Sequence, residues 1–343
     1  MRYLLYSYQP EPALDEGLLL SGLFHWPSAM RGQVGSMPPK QVPANFDAVH
    51  LNLTTASLGL LGELSEACRG TSCQLVVNCD YAVDSWSRHF DQARLWLREL
   101  DKANVIFHVE PRGAHLLETA LHRPVHVIPH PISTTVSSFA VRYNERPRNI
   151  HSVVHRYDMQ ISEAWLLTSA VQKRLSEGFG KHVGNGVSLA MVAPPQELTN
   201  RLPNMFDWFL SQENYAAWIR RLAKSWVVFD THTCSIFGRV VGECAALGVP
   251  CVGNASSYAM RRLFPRICFD REDTEGKFSA LIQLAMDTAF YKEVSEFAYR
   301  AVHSTFSYAQ ARHAMLSALG VKEPEPVEKR EDKETNQEVE VNV

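Results

Sequence analysis

A single acidic side chain, Glu243, lies in a predicted helix whose neighbouring residues are small or apolar. The stretch over residues 235–254 reads SIFGRVVGECAALGVPCVGN, which predicts a helix between a glycine turn at Gly238 and a stop at Gly248. A carboxylate in such a helix either pairs with Arg239, four residues before it, on a solvated face, or contacts a ligand. Because its neighbours allow close approach, we interpret Glu243 as a candidate ligand contact.

Two strands are expected to flank this helix and to position its first turn. WVVFD (226–230) precedes the loop and VPCVGN (249–254) follows the helix, which is the pattern of a βαβ unit with a right-handed crossover. In open parallel sheets, ligands bind beyond the carboxyl ends of the strands, where the free amides and dipole of the helix would suit a diphosphate. Glu243 leans back towards the helix N-terminus and would reach a hydroxyl pair beside that phosphate. The residues expected to bind the diphosphate are Ile236, Phe237, Gly238 and Arg239.

The composition indicates a folded chain with more than one domain. The 343 residues are 45% hydrophobic and 10% aromatic, which is enough for two cores and excludes a largely disordered chain. No apolar run approaches the roughly 20 residues of a membrane span, and the N-terminal stretch is interpreted as a strand. Seven cysteines are scattered without a C-x-x-C pair, so reduced core thiols in a cytoplasmic protein are the simplest interpretation.

Charge is distributed unevenly along the chain. The last 22 residues hold four basic and eight acidic side chains, which leaves 30 basic and 29 acidic side chains in the rest. A nearly neutral body is not typical of a dedicated duplex-binding protein. A nucleic acid substrate held in a local basic groove stays open.

Short apolar runs alternate with helical patterns in two zones, over residues 1–135 and 149–320. This alternation predicts an α/β chain with two Rossmann-like, doubly wound parallel-sheet domains that face a cleft. We predict an N-terminal domain over 1–140, a C-terminal domain over 141–320 and a disordered charged tail over 321–343.

Local signals define two further boundaries. Ser307, with Gln310 three residues later, predicts the N-cap of the last helix, and Gly320 predicts its end. GFGKHVGNG (178–186) is glycine-rich but lacks the Lys-Ser/Thr ending of a P-loop. It is therefore interpreted as a loop before a strand that begins at VSLAMVAPP (187–195).

The stretch around Glu243 resembles the nucleotide-sugar signature of family-4-like glycosyltransferases (glycosyl transferases group 1), which have the GT-B fold. Their pattern is approximately E-G-F-G, three or four residues, E-A and then A-x-G-x-P-V, and SIFGRVVGECAALGVPCV matches its spacing. Other stretches resemble family landmarks in the family's order: VHVIPHPIS, NIHSVVHRYD, ENYAAWIRRLAKSWVVFDTH and TFSYAQARHAMLSAL. The resemblance covers almost the whole folded part of the chain.

The resemblance implies roles for individual residues. Glu243 corresponds to the second glutamate of the family's E-x(7)-E pair, which commonly holds the ribose hydroxyls of the donor. Ser235 stands where the family has the first glutamate, which contacts the transferred sugar, and a serine hydroxyl carries no charge. Arg156 stands at the place of a phosphate-binding arginine, while Gln160 is neutral near the place of a lysine. The family's N-terminal glycine-rich loop is also missing, since YSYQPEPALDEGLL contains one glycine.

Several polar residues are further candidates. His130 stands near the expected hinge, where the family usually has asparagine, and Ser235 and His130 are assigned as the candidate catalytic residues. Polar residues that end the N-terminal strands are each interpreted first as caps or turn residues; they are Asn52, Thr54, Asn78, Asp80, His108 and Glu110. The pairs HSVVH and HVIPH lie on predicted strands with their histidines about 13 Å apart, so no metal site is expected.

The sequence therefore predicts a glycosyltransferase that moves a sugar from a nucleotide-diphosphate-sugar donor, UDP- or GDP-sugar, to an acceptor on the N-terminal domain. A glycan, a protein, a small molecule and a nucleic acid all stay open as acceptor. The resemblance implies retention of anomeric configuration and no metal or other cofactor. The alternatives are a catalytically impaired GT-B pseudo-enzyme that binds a nucleotide or partner, a nucleic-acid-modifying glycosyltransferase, and a GT-B epimerase.

Overall fold

Two parallel β-sheets, each covered by helices, form the body of the chain in the computed structural model. The structure describes residues 1–7, 25–54, 57–79, 90–154, 159–180, 184–189, 215–234 and 236–322. The charged tail predicted to be disordered lies outside these residues except for its first two positions.

The first sheet has six strands in the order β2-β1-β3-β4-β5-β6, and neighbouring strands pair in parallel. Its strands are β1 (Tyr3–Tyr6), β2 (Gln33–Gly35), β3 (Ala48–Asn52), β4 (Gln74–Asn78), β5 (Val105–His108) and β6 (His126–Val127). The central strands are buried runs of apolar residues because helices cover both faces of a parallel sheet.

The second sheet has five parallel strands in the order β11-β10-β9-β7-β8. Its strands are β7 (Asn149–Val154), β8 (Gly184–Leu189), β9 (Val227–Asp230), β10 (Cys251–Asn254) and β11 (Cys268–Phe269). β8 lies on one side of β7 and β9 lies on the other, so the strand order reverses between β8 and β9. The switch point between β7 and β9 is the position at which doubly wound sheets open a ligand crevice.

Twelve α-helices are described, together with short 3-10 turns between them. They are α1 (His25–Met30), α2 (Val42–Asn45), α3 (Leu58–Cys68), α4 (Phe90–Leu100), α5 (Pro111–Leu121), α6 (Met159–Phe179), α7 (Tyr215–Lys224), α8 (Arg239–Ala246), α9 (Tyr258–Leu263), α10 (Thr274–Met286), α11 (Thr288–Thr305) and α12 (Tyr308–Ala318). The alternation of strands and helices confirms the predicted α/β class with doubly wound parallel sheets.

The last helix connects the two sheets. Ser307 is its N-cap and accepts a hydrogen bond from the Gln310 amide, as predicted, and Gly320 has φ 67° just beyond its end. α12 packs against α1, and Arg312 donates a hydrogen bond of 2.9 Å to the Met30 carbonyl. A continuous apolar core accordingly includes residues from Tyr3 to Leu319.

The glycine-rich segment before β8 differs from the prediction. The strand begins at Gly184, within the stretch interpreted as a loop, and pairs there with Asn149 of β7. Pairing with an ordered neighbour therefore outweighs the low strand propensity of glycine at this position.

Candidate functional site

The loop before α8 is held against the start of α9. Ile236 forms a bridge with Ser257, and its carbonyl accepts a hydrogen bond of 2.9 Å from the Tyr258 amide. Gly238 adopts a left-handed conformation, with φ 86° and ψ 63°, and no side chain caps the helix that follows. In the described part of the chain, the first amides of α8 are therefore not occupied by a capping side chain.

Glu243 lies on a buried face of α8, between that helix and α7. Its Oε2 accepts a hydrogen bond of 2.9 Å from the Trp218 indole, and its Oε1 is 3.6 Å from Nη1 of Arg239. The side chain of Glu243 is fully buried and that of Arg239 is 16% exposed. The pair that was considered for a solvated face thus exists, but in the interior.

This buried pair is incompletely bonded. Among the described residues, Oε1 of Glu243 and Nη1 of Arg239 have no hydrogen-bond partner, although both atoms are buried. A buried carboxylate and guanidinium are costly unless most of their bonding capacity is used. The arrangement therefore offers an acceptor and a donor, side by side, to a further polar group.

His25, which the sequence analysis did not select, reaches the same cluster from α1. Its Nδ1 is 2.8 Å from the Tyr308 hydroxyl, and its ring lies edge-on to Tyr215 with centroids 5.8 Å apart. Burial, followed by the charges of Arg239 and His130, lowers the pKa of His25 to about 3, so the ring is neutral at pH 7. Its Nε2 is buried without a hydrogen-bond partner among the described residues.

Tyr215 and Trp218, both on α7, complete the wall around Glu243. The Arg239 guanidinium lies 5.9 Å from the centre of the Tyr215 ring. Burial, and then the charge of Glu243, raise the pKa of Tyr215, which keeps its phenol protonated. Both residues lie on the apolar face of a helix, where the sequence pattern indicates only core packing. The sequence therefore gave no sign that they belong to a functional site.

His130 borders the loop on its other side. The ring is 5% exposed, and its Nδ1 accepts a hydrogen bond of 3.0 Å from the Trp26 indole. Its centroid is 5.8 Å from that of Phe237, in an edge-on arrangement. Because Nδ1 accepts, a neutral ring carries its proton on Nε2 and acts there as a donor. Its catalytic role stays a prediction.

Ser235 and Arg156 lie outside the described residues, so their predicted roles are not tested. Gln160 lies in α6, but its side chain is outside the described part. Of the predicted site residues, the structure brings together Phe237 with His130, and Arg239 with Glu243.

The polar residues at the ends of the N-terminal strands bond mainly to one another. Oδ1 of Asn78 accepts a hydrogen bond of 2.6 Å from Nε2 of His50, and Nδ2 of Asn78 donates one of 3.0 Å to Oδ1 of Asn52. Glu110 is the N-cap of α5 and accepts hydrogen bonds from the Gly113 and Arg112 amides. The interpretation as a cap fits Glu110, whereas Asn52 and Asn78 bond to each other across two paired strands. Asp80 lies outside the described residues.

Two buried histidines predict an acid-sensitive fold. Burial lowers the pKa of His25 and of His151 from 6.5 to about 3, with a further contribution from Arg221 to His151. The unfolded chain therefore binds more protons between pH 6.5 and pH 3, so stability is complete above pH 6.5 and falls as the pH decreases. From pH 7 to pH 5 each histidine is expected to lower the free energy of unfolding by up to about 2 kcal/mol.

Urea denaturation at both pH values measures this effect. The variant His151→Asn should lose a substantial part of the pH dependence, whereas the exposed His115→Gln should retain it. Equal slopes in both variants would contradict the assignment.

Neither a cluster of metal ligands nor a membrane-crossing helix occurs in the described ranges. No three His, Cys, Asp or Glu side chains there are grouped so that they could hold a metal ion. None of the helices in these ranges has the length and apolar character required to cross a membrane. None of the seven cysteines forms a disulfide bond.

The fold is similar to that of solved GT-B proteins. An apo structure of OtsA superimposes with a TM-score of 0.71 at 13% identity, over 94% of this chain and 100% of that chain. HepE (Alr3699) from Anabaena, solved with UDP and glucose, has a TM-score of 0.65 at 12% identity, over 93% of this chain and 99% of that chain. Sucrose-phosphate synthase from Thermosynechococcus elongatus has a TM-score of 0.64 at 12% identity, over 92% and 97%.

These similarities define the class of fold. The chain has the GT-B fold of glycosyltransferases, as the sequence resemblance implied. No protein-family model matches the sequence, and no curated protein matches it.

Proposed function

We propose that this chain is a glycosyltransferase that moves a sugar from a nucleotide diphosphate donor to an acceptor. In this proposal residues 1–140 form the acceptor side of the cleft and residues 141–320 form the donor side. The observation that carries it is the buried Glu243, whose Oε1 lies beside Nη1 of Arg239 while both atoms lack hydrogen-bond partners among the described residues.

The two atoms without hydrogen-bond partners, Oε1 of Glu243 and Nη1 of Arg239, have the chemistry that a ribose requires. The two hydroxyls of a ribose are donors and acceptors on neighbouring carbons, so one can donate to the carboxylate and the other can accept from the guanidinium. Trp218 holds the carboxylate in position by occupying its other oxygen. A ligand that supplies the missing hydrogen bonds would therefore offset the free-energy cost of burying the carboxylate and the guanidinium.

The diphosphate would lie next to this ribose. The uncapped start of α8 provides amides and the positive end of a helix dipole for the leaving-group charge. Arg156 would add a positive charge, and Ser235 would contact the sugar. HepE, a GT-B protein of similar fold, was solved with UDP and glucose. Independence from metal is part of the proposal because amides and basic side chains can carry this charge. Retention of configuration is part of it because the family that the sequence resembles retains it.

Calorimetric titration with UDP, GDP, ADP and TDP tests the donor site. We expect one nucleotide to bind, and Glu243→Gln to weaken its binding by about 10- to 100-fold because a charged hydrogen-bond acceptor is lost. Glu99→Gln is the matched control, since Glu99 is also a buried carboxylate with basic partners but lies in α4. This control should bind the nucleotide as tightly as the unmodified protein.

Turnover is measured next, as release of the nucleotide from its sugar conjugate with and without candidate acceptors. Failure of all four nucleotides to bind, or equal binding by the Glu243→Gln and Glu99→Gln variants, would contradict the proposal. Tight binding without turnover would instead identify a GT-B pseudo-enzyme.

A further inference from the structure

Arginine and lysine side chains cluster where the strands of the second sheet begin. Arg148 and Trp226 directly precede β7 and β9, which pair with each other, and Lys224 ends α7 two residues before Trp226. The cluster therefore lies at the opposite ends of these strands from the proposed donor site. We call it the basic strip, and its residues are Arg142, Arg148, Arg220, Lys224 and Lys292. Arg146 is not part of it, because its guanidinium is buried and bonded to carbonyls.

Two cations of the strip lie over neighbouring aromatic rings. The Arg148 guanidinium is 5.1 Å from the centre of the Trp226 ring, and Nζ of Lys292 is 4.7 Å from the centre of the Tyr143 ring. The centroids of the two rings are 6.3 Å apart. An aromatic ring holds a cation in place without neutralising its charge. Both charges therefore stay available to an anion.

The other members extend the strip along α7 and the connecting segment. The Arg220 guanidinium lies 5.3 Å from the centre of the Phe139 ring, and Lys224 follows Arg220 by four residues, on the same face of α7. Arg142 is exposed at the start of a short turn in the connecting segment. Arg221 is half-buried and is not counted. The positive charges are thus spread along a segment of the chain instead of being gathered around one point.

Acidic side chains do not neutralise the strip. Within the described ranges, its five cations form no ion pair with a carboxylate. The acidic residues closest to them in the chain are Glu145, Asp287, Glu293 and Glu296. Asp287 caps α11 through a hydrogen bond of 3.0 Å from the Phe290 amide, and Glu293 pairs with Arg266. Two acidic groups are left against five cations, so the strip carries a net positive charge.

The strip also contains hydrogen-bond donors that are not used. Nε1 of Trp226 is buried and has no hydrogen-bond partner in the described part of the chain, although 5% of the residue is exposed. The Arg148 guanidinium donates one hydrogen bond, of 3.3 Å, to the Ala285 carbonyl. A buried donor without an acceptor is costly. An anion held by Arg148, over the same ring, would bring acceptor oxygens to this donor.

The pattern suits a strand of nucleic acid better than a compact anion or a lipid surface. Charges spread along a segment match a ligand with one phosphate in each repeat, and phosphate oxygens accept hydrogen bonds from arginine and lysine. Binding at a lipid surface also buries exposed apolar side chains. The large apolar side chains that are exposed in the described ranges all lie outside the strip.

We propose that the basic strip binds a single strand of nucleic acid through its phosphates. Because Arg148 and Lys292 lie over the neighbouring rings, those rings are not free to stack on bases. The affinity therefore comes from charge and is independent of base sequence. The inference does not depend on the proposed function, since the strip and the donor site lie at opposite ends of the strands.

Fluorescence anisotropy with a labelled single-stranded oligothymidylate tests the strip in the full chain. We expect binding that weakens as the KCl concentration rises. Arg142→Gln, Arg148→Gln and Arg220→Gln should each weaken binding at low salt by about threefold or more. Each should also reduce the slope of log K against log[KCl] by about 0.7, the value for one phosphate contact of a single strand. Arg148→Lys keeps the charge and should restore the slope.

Arg266→Gln is the matched control. Arg266 is exposed and lies 4.8 Å from the centre of the Phe290 ring, but Glu293 neutralises its charge. Its replacement should change neither the affinity nor the slope. Arg142 makes no ion pair or ring contact among the described residues, so Arg142→Gln separates loss of charge from loss of stability. Thermal unfolding of this variant should equal that of the unmodified protein.

The outcomes distinguish this proposal from its alternatives. Absence of oligothymidylate binding, or an equal loss of affinity in Arg266→Gln and the strip variants, would overturn it. Strip-dependent binding of phosphatidylserine vesicles or of polyglutamate that equals the binding of oligothymidylate would overturn it as well. If no nucleotide diphosphate binds while the strand still does, the proposed function fails and the strip stands. Glu243→Gln should bind the strand as tightly as the unmodified protein.

Discussion

Replacement of Arg146 by methionine is expected to lower the free energy of unfolding by about 3–5 kcal/mol. Arg146 is 6% exposed and lies in the segment between the two sheets. Its Nη1 donates hydrogen bonds of 2.7 Å to the Gly248 carbonyl and 2.8 Å to the Tyr291 hydroxyl, and its Nη2 donates one of 2.9 Å to the Leu247 carbonyl. Methionine would fill the space but leave these acceptors buried without a donor.

The loss is large because the guanidinium caps the end of the helix that carries Glu243. The last carbonyls of a helix have no intrahelical donors, and here one side chain satisfies two of the carbonyls that follow α8. Arg146 also donates a hydrogen bond of 2.8 Å to the Val141 carbonyl, so it fastens the connecting segment to the second sheet. Loss of the side chain therefore loosens both elements.

Urea denaturation measures the change, with Arg148→Met as the matched control. Arg148 is exposed, donates one hydrogen bond of 3.3 Å to the Ala285 carbonyl and lies 5.1 Å from the centre of the Trp226 ring. Its replacement is expected to cost no more than about 1 kcal/mol. Similar losses in the two variants would show that the buried hydrogen bonds of Arg146 contribute little.

Replacement of Gly238 by alanine is expected to abolish nucleotide binding and to lower the free energy of unfolding by about 2–4 kcal/mol. Gly238 has φ 86°, a conformation that costs an L-residue about 1–2 kcal/mol. An added Cβ would also overlap Oγ of Ser257 and lie 3.2 Å from its Cβ. Ser257 is the N-cap of α9 and accepts from the Met260 amide, so the overlap displaces the support of the loop.

Gly70→Ala separates backbone strain from steric overlap. Gly70 has a similar φ of 72°, but an added Cβ there meets no atom within 4 Å. In this variant the backbone strain alone should lower the free energy of unfolding, by about 1–2 kcal/mol. Its affinity for the nucleotide should stay unchanged. Calorimetric titration and urea denaturation of both variants test the prediction. Retained nucleotide binding by Gly238→Ala would argue against a diphosphate at the start of α8.

The alternation of apolar runs and helical patterns was sufficient to predict the class of fold. Buried strands appear in the sequence as short continuous apolar runs, whereas amphipathic helices space their apolar residues at the helical period. The 343 residues contain enough of both patterns to indicate two sheets. Cap chemistry was also local: Ser307 and Gly320 bound the last helix as predicted because their interactions lie within a few residues. Short elements such as β2 and α1 were missed, since three and six residues are too few to display a period.

The sequence by itself determined that Glu243 lies in a short helix between two strands, after a glycine that can turn the chain. Whether its carboxylate faced water or the interior could not be predicted, because helical spacing pairs it with Arg239 in either case. The tertiary structure decided this by placing Trp218, 25 residues earlier, and the cluster that contains His25 against the same helix. Such contacts depend on how α1, α7 and α8 pack, and packing between distant segments leaves no periodic signal in the chain.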